Sequence, residues 1–160
     1  IMSSDWSSDV CSSDLLGDEE ARRAAFLEVR ERDAAWAPET PPLLDEDELV
    51  RTAEELLAEL PEEMTARLGH VPILVEDRPG RHLVETGFDP RALGLFDGPP
   101  YGEQGLTGPA LNRIVLYRAN IEAVARSAEH AREEVRITLL HETAHFFGLD
   151  EDGVADLGLG

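Results

Sequence analysis

The sequence predicts a single domain that mixes helices with short strands, and three observations carry that expectation. Apolar residues recur at helical spacing between Asp45 and Leu60, an apolar run from Arg113 to Ala119 reads as a strand, and a long helix begins near Glu129. The chain has 160 residues and 42% hydrophobic content, enough for one core and too little for two comfortable domains. Its 34 acidic against 14 basic residues leave a formal net charge of -20. A surface of that sign repels phosphate backbones and anionic lipid, so neither nucleic acid nor a membrane is an expected partner.

No apolar run approaches the ~20 residues that span a bilayer, and no charged-then-apolar leader resembles a signal peptide. The single cysteine, Cys11, forms neither an internal disulfide nor a multi-cysteine metal site. A cytoplasmic protein is the simplest expectation.

Taken in order, residues 1–15 read as a leader foreign to the rest. Ser-Ser-Asp occurs at Ser3, Ser7 and Ser12 without helical or strand periodicity, and the stretch has too little apolar surface to offset the entropy of ordering. It resembles translated sequencing-adaptor sequence. From Asp18 to Ala37, Ala21, Ala25, Leu27, Val29 and Trp36 amid Arg and Glu predict a helix, which the Pro-rich run from Ala37 to Pro42 breaks. Residues 16–42 thus form an N-terminal helix and linker, and 43–160 the compact domain.

Between Asp45 and Leu60, Leu49, Ala53, Leu56, Leu57 and Leu60 share one helix face, the acidic residues taking the rest. Pro61 ends or kinks that helix. Val71 to Glu76 reads as a short buried strand. Residues 97–112 hold seven Gly or Pro and predict a long irregular loop. The strand from 113 to 119 follows, with Val115 and Tyr117 on one face and Ile114 and Leu116 on the other. A short helix is expected from Ile121 to about Ser127. The helix from about Glu129 sends Val135, Ile137, Leu140, Ala144 and Phe147 to the core, with Gly148 as its left-handed cap. A last helix is expected from about Asp152 to Leu157.

The chemistry lies in His141-Glu142-Thr143-Ala144-His145, the pattern H-E-x-x-H. Histidines four apart stand one turn apart on the same helix face, so both imidazoles can converge on one metal ion. Glu142, beside the first of them, can accept a proton from a water that the ion has acidified. Two imidazoles suit zinc, and the pattern alone leaves other divalent ions open. The chain continues Phe146-Phe147-Gly148-Leu149-Asp150-Glu151. A glycine with positive φ at 148 reverses the chain, and Glu151 is the expected third ligand, with Asp150, Asp152 and Asp156 as competitors.

The spacing separates the zincin subclasses. Metzincins carry His where Glu151 stands and a methionine turn further on, whereas Met2 and Met64 both precede the motif here. Gluzincins take a Glu from a separate downstream helix, for which the fifteen residues after His145 leave no room. From about 45 to 158 the chain resembles the short bacterial zincin-like metallopeptidases, or minimal zincins. The resemblance rests on Leu56 to Pro61, Val71 to Glu76, Gly94-Leu95-Phe96, Arg113 to Arg118, and Thr138 to Asp152. It implies an α+β minimal zincin-like fold, an active-site helix beside a small mixed sheet, and one zinc ion held by two His and an acidic residue at the position of Glu151. Many members have His where Phe146 stands, but that position is not one of the three ligands.

Motif and resemblance together imply a zinc-dependent hydrolase, a metallopeptidase in which His141, His145 and Glu151 hold the ion and Glu142 is the general base. A peptide or protein substrate would lie along an edge strand, with the 113–119 strand as the candidate and the 97–112 loop overhanging the cleft. The alternative is a non-catalytic metal-binding module for protein interaction, its fourth coordination position closed by Asp150 or Asp152. A third reading, an acidic partner-binding protein using the 45–60 helix, predicts salt-sensitive binding of basic ligands. Tyr101, His70, His82 and His130 are read as packing, loop or solvent residues.

Overall fold

The computed structural model describes residues 15–36, 41–69, 71–99 and 112–148. The chain divides into two compact units, one formed by residues 1–37 and 79–90, the other by 38–78 and 91–160. Among the described residues there are six helices and three strands, an α+β architecture, and no helix is long and apolar enough to cross a membrane.

In the first unit, α1 (Leu15–Ala34) packs on α4 (Arg81–Glu85). The α1 helix starts earlier than its apolar spacing suggests, and Trp36, assigned to that spacing, is exposed beyond its end. Polar links hold the unit: Arg30 Nε donates to the Pro79 carbonyl, and Arg81 Nη1 pairs with Glu31 at 2.8 Å. The segment 79–90 lies within the 43–160 range read from the sequence as one domain, yet it groups with α1.

The second unit contains the sheet and the two principal helices. The α2 helix (Glu46–Ala58) opens on a capping box, in which Asp45 Oδ1 accepts from the Glu48 N–H and Glu48 Oε2 accepts from the Asp45 N–H. That arrangement satisfies two otherwise orphaned donors and is worth about 1 kcal/mol. Leu49 and Ala53 are buried on the expected face, with Leu60 buried just beyond the helix. Pro61 ends α2 and begins α3 (Glu62–Leu68), a short helix that no spacing in the sequence announces.

The strands β1 (Ile73–Glu76), β2 (Gly94–Asp97) and β3 (Arg113–Tyr117) form one mixed sheet in the order β1-β3-β2. The β1–β3 pair is parallel, Ile73 opposite Ile114, and the β2–β3 pair is antiparallel, Phe96 opposite Ile114. The strand expected over 113–119 therefore stops at Tyr117, where α5 (Arg118–Val124) begins at once. Asn120 fixes that turn: it is buried, accepts from Arg78 Nη1 at 3.0 Å and donates to the Ala92 carbonyl at 2.8 Å.

The α6 helix (Ala128–Phe147) runs across the sheet face that carries Gly94, Phe96, Ile114 and Leu116. Its Ala131, Val135 and Leu139 enter the main core with Leu49, Ala53, Ile114, Leu116 and Ile121. Phe146 enters a second cluster with Leu60, Met64 and Leu68. Two expectations about its core face are corrected. Ile137 is 51% exposed, and the fully buried aromatic is Phe146 rather than Phe147. The helix is apolar on most of its circumference near Ile137 to Leu140, so spacing alone does not select its buried stripe.

Candidate metal centre

Local rules place the motif on a well-terminated helix. At its start the Ser127 hydroxyl accepts from the His130 N–H at 3.1 Å. At its end Gly148 takes the expected left-handed conformation, φ 64 and ψ 25, and its N–H bonds back to Ala144 and His145 carbonyls. His141 and His145 occupy the last two turns, where the negative end of the helix dipole favours a bound cation.

The two imidazoles converge. Their Nε2 atoms stand 2.9 Å apart, with ring centroids at 4.5 Å and planes at 83°. Both side chains are exposed. Two nitrogens on one tetrahedral zinc ion stand about 3.3 Å apart, so a shift of a few tenths of an ångström would fit this pair to one ion. The donor chemistry suits zinc as far as the described residues reach. No three His, Cys, Asp or Glu side chains among them cluster as a metal site. Glu151, expected as the third ligand, and Asp150, Asp152 and Asp156 lie outside the described residues, as do Tyr101, His70, most of the 97–112 loop and the 152–157 helix.

Glu142 points elsewhere than its histidine neighbours. It is half-buried, and its Oε2 accepts a 2.8 Å hydrogen bond from the main-chain N–H of Phe96 in β2. Nothing in the sequence flags this partner, since a main-chain donor has no residue signature. Tyr117 of β3 is buried, and that burial, reinforced by the carboxylates of Glu76, Asp97 and Glu142, pushes its hydroxyl well above the ordinary range. It stays a protonated, neutral group. His130 serves the start of α6, accepting from the Arg126 N–H and pairing with Glu134 at 3.1 Å. His82 lies in α4 of the other unit.

The substrate strand expected from sequence is corrected by the topology. With β1 on one side and β2 on the other, β3 is the middle of the sheet and has no free edge. Among the described residues β2 is the edge strand next to α6. Ile114 to Tyr117 are buried without alternation, the pattern of a strand covered on both faces.

Behind α6, Leu56, Leu57, Leu60, Leu139 and Leu140 line a cavity of about 200 Å³ with Arg136, Glu59 and Thr143. The Thr143 hydroxyl is buried there without a hydrogen-bond partner among the described residues.

No curated protein matches the chain. Residues 68–159, more than half of its length, match the family model described as zincin-like metallopeptidase. That span takes in all three strands and the whole of α6. With a small mixed sheet, a helix bearing H-E-x-x-H against it and this match, the chain belongs to the zincin-like metallopeptidase family.

Proposed function

We propose that the protein is a zinc-dependent peptidase in which His141, His145 and Glu151 hold one zinc ion and Glu142 is the general base. The observation that carries this reading is the meeting of the two imidazole Nε2 atoms on a helix face flanked by Glu142. The family match supports the same class of activity.

Zinc bound here would supply a Lewis acid that polarises the scissile carbonyl and lowers the pKa of water. The remaining steps belong to side chains and backbone. Glu142 takes a proton from the attacking water as the new C–O bond forms, then passes it to the leaving amine nitrogen as the C–N bond breaks. The substrate lies extended along β2, the edge strand beside α6, through main-chain pairing that leaves the Phe96 N–H to Glu142. The strong acidity of the chain favours cationic peptides over acidic ones.

Elemental analysis combined with cleavage of a broad peptide library, for wild type and Glu142→Gln, tests the reading. About one zinc per chain in both proteins, with cleavage by the wild type alone, is the expected result. Wild type free of zinc after metal-replete expression overturns it. Zinc retained with no cleavage by either protein replaces it with a metal-binding module for protein interaction.

A further inference from the structure

One stripe of α6 runs along β2 and makes three successive contacts with it. Thr138, Glu142 and Phe146 are spaced four apart, so each lies one turn beyond the last. Thr138 meets Gly94: a Cβ built on that glycine would lie 2.6 Å from Thr138 Cγ2 and 3.1 Å from the Val115 carbonyl oxygen. Glu142 accepts from the Phe96 N–H at 2.8 Å. Phe146 packs on the Phe96 ring, with centroids 5.0 Å apart.

The repeat matches in length. Four helical residues rise about 6.0 Å, and two strand residues rise about 6.6–6.8 Å, so Thr138 and Glu142 reach Gly94 and Phe96 together. The alternation of an antiparallel pair supplies the donor. Leu93 receives the Tyr117 N–H, which puts residues 93, 95 and 97 on the β3 side and turns the main-chain groups of Gly94 and Phe96 outward. The Phe96 N–H is therefore not needed by the sheet and is available to the carboxylate.

We infer that Gly94 and Phe96 are positioning residues for Glu142. The Phe96 N–H fixes one carboxylate oxygen, Oε2, and leaves Oε1 for the water. Gly94 sets the helix-to-strand distance at which that hydrogen bond forms, because any side chain there would meet Thr138. The inference rests on the proposed role of Glu142 as general base. It adds that the base is held by the backbone of the edge strand rather than by another side chain.

The test uses the full chain in four forms besides wild type: Gly94→Ala, Thr138→Ser, the double variant, and Glu142→Ala. Exchange of the Phe96 amide hydrogen is followed by NMR, with and without added zinc, and kcat, KM and zinc content are measured on a fluorogenic peptide library. Gly94→Ala is expected to speed exchange of the Phe96 amide at least tenfold and to lower kcat at least tenfold. KM should stay within about twofold and zinc at one per chain. Thr138→Ser removes the methyl that a Cβ at 94 would meet, so the double variant should recover most of both losses. Glu142→Ala should speed exchange at Phe96 while leaving the Leu95 amide, which faces β3, unchanged. It gives the answer even if Gly94→Ala does not fold.

Unchanged Phe96 exchange in Glu142→Ala overturns the inference, as does a Gly94→Ala loss that Thr138→Ser fails to relieve. The exchange readout needs no turnover. A wild type that cleaves nothing therefore removes the proposed activity while the Phe96 amide still decides the positioning.

Discussion

Helices α2 and α6 both pack on the same core, but they distribute their apolar residues differently. In α2, Leu49 and Ala53 are buried on one narrow stripe, and Glu46, Asp47, Arg51, Glu54 and Glu55 face solvent. In α6, Ala131, Val135 and Leu139 face the core, Thr138, Glu142 and Phe146 follow β2, and His141 and His145 stay open. A helix that only packs, as α2 does on α6 and β1, announces its buried face through its period. A helix that also carries chemistry divides its circumference among several tasks, and its period no longer names one face.

Phe146 is where that comparison can be broken most decisively. It is fully buried and couples the second cluster to Phe96. Truncation to Ala should cost about 3–5 kcal/mol in urea unfolding, as for other large core aromatics. A cost below 1 kcal/mol would mean that α6 does not bury this face.

The legibility of the molecule follows the same division. The α2 face, the capping of α6 by Gly148 and the convergence of His141 with His145 were readable because each depends on spacings of four residues or fewer. The short elements α3, α4 and β2 were not. Helices of five or seven residues are marginal on their own and form through tertiary packing, and β2 is four residues long with a glycine first. Strand order is also nonlocal, so the residues of β3 do not by themselves say whether it is an edge or the middle of the sheet. The partner of Glu142 is a backbone N–H, so no residue type could have disclosed it.

At the start of α2 the expected effect is smaller. Asp45→Ala removes the acceptor of the capping box and should lower stability by about 1 kcal/mol, read as a shift of the urea midpoint at constant slope. Glu48→Ala removes only the reciprocal half and should cost less than Asp45→Ala. Equal losses would show that the first turn is held by its acidic charge against the helix dipole instead of by the Asp45 side chain.

A change of similar size but opposite sign is expected at Thr143. Its hydroxyl is buried beside the α2–α6 cavity without a partner among the described residues, and a buried unsatisfied hydroxyl is unfavourable. Thr143→Val keeps the branched shape and removes the orphaned group, so stability should rise by about 1 kcal/mol. Because Thr143 lies between the two metal-binding candidates yet faces away from them, zinc content should not change. Destabilisation instead would reveal a partner for the hydroxyl, such as a water in the cavity.

The smallest effect belongs to Ile137, and it separates the two ways of reading α6. Spacing assigns it to the core together with Val135 and Leu140, whereas the fold leaves it 51% exposed. An exposed position away from caps and pairs tolerates substitution within about 0.5 kcal/mol, so Ile137→Lys should leave the unfolding midpoint nearly unchanged. The same substitution at Val135, which is fully buried, would place an unpaired charge in the core and should prevent stable folding. If Ile137→Lys also unfolded the protein, the solvent-facing stripe of α6 would have to be reassigned. The open flank would then narrow to His141 and His145, because Ile137 lies one turn before His141 on the same side of the helix.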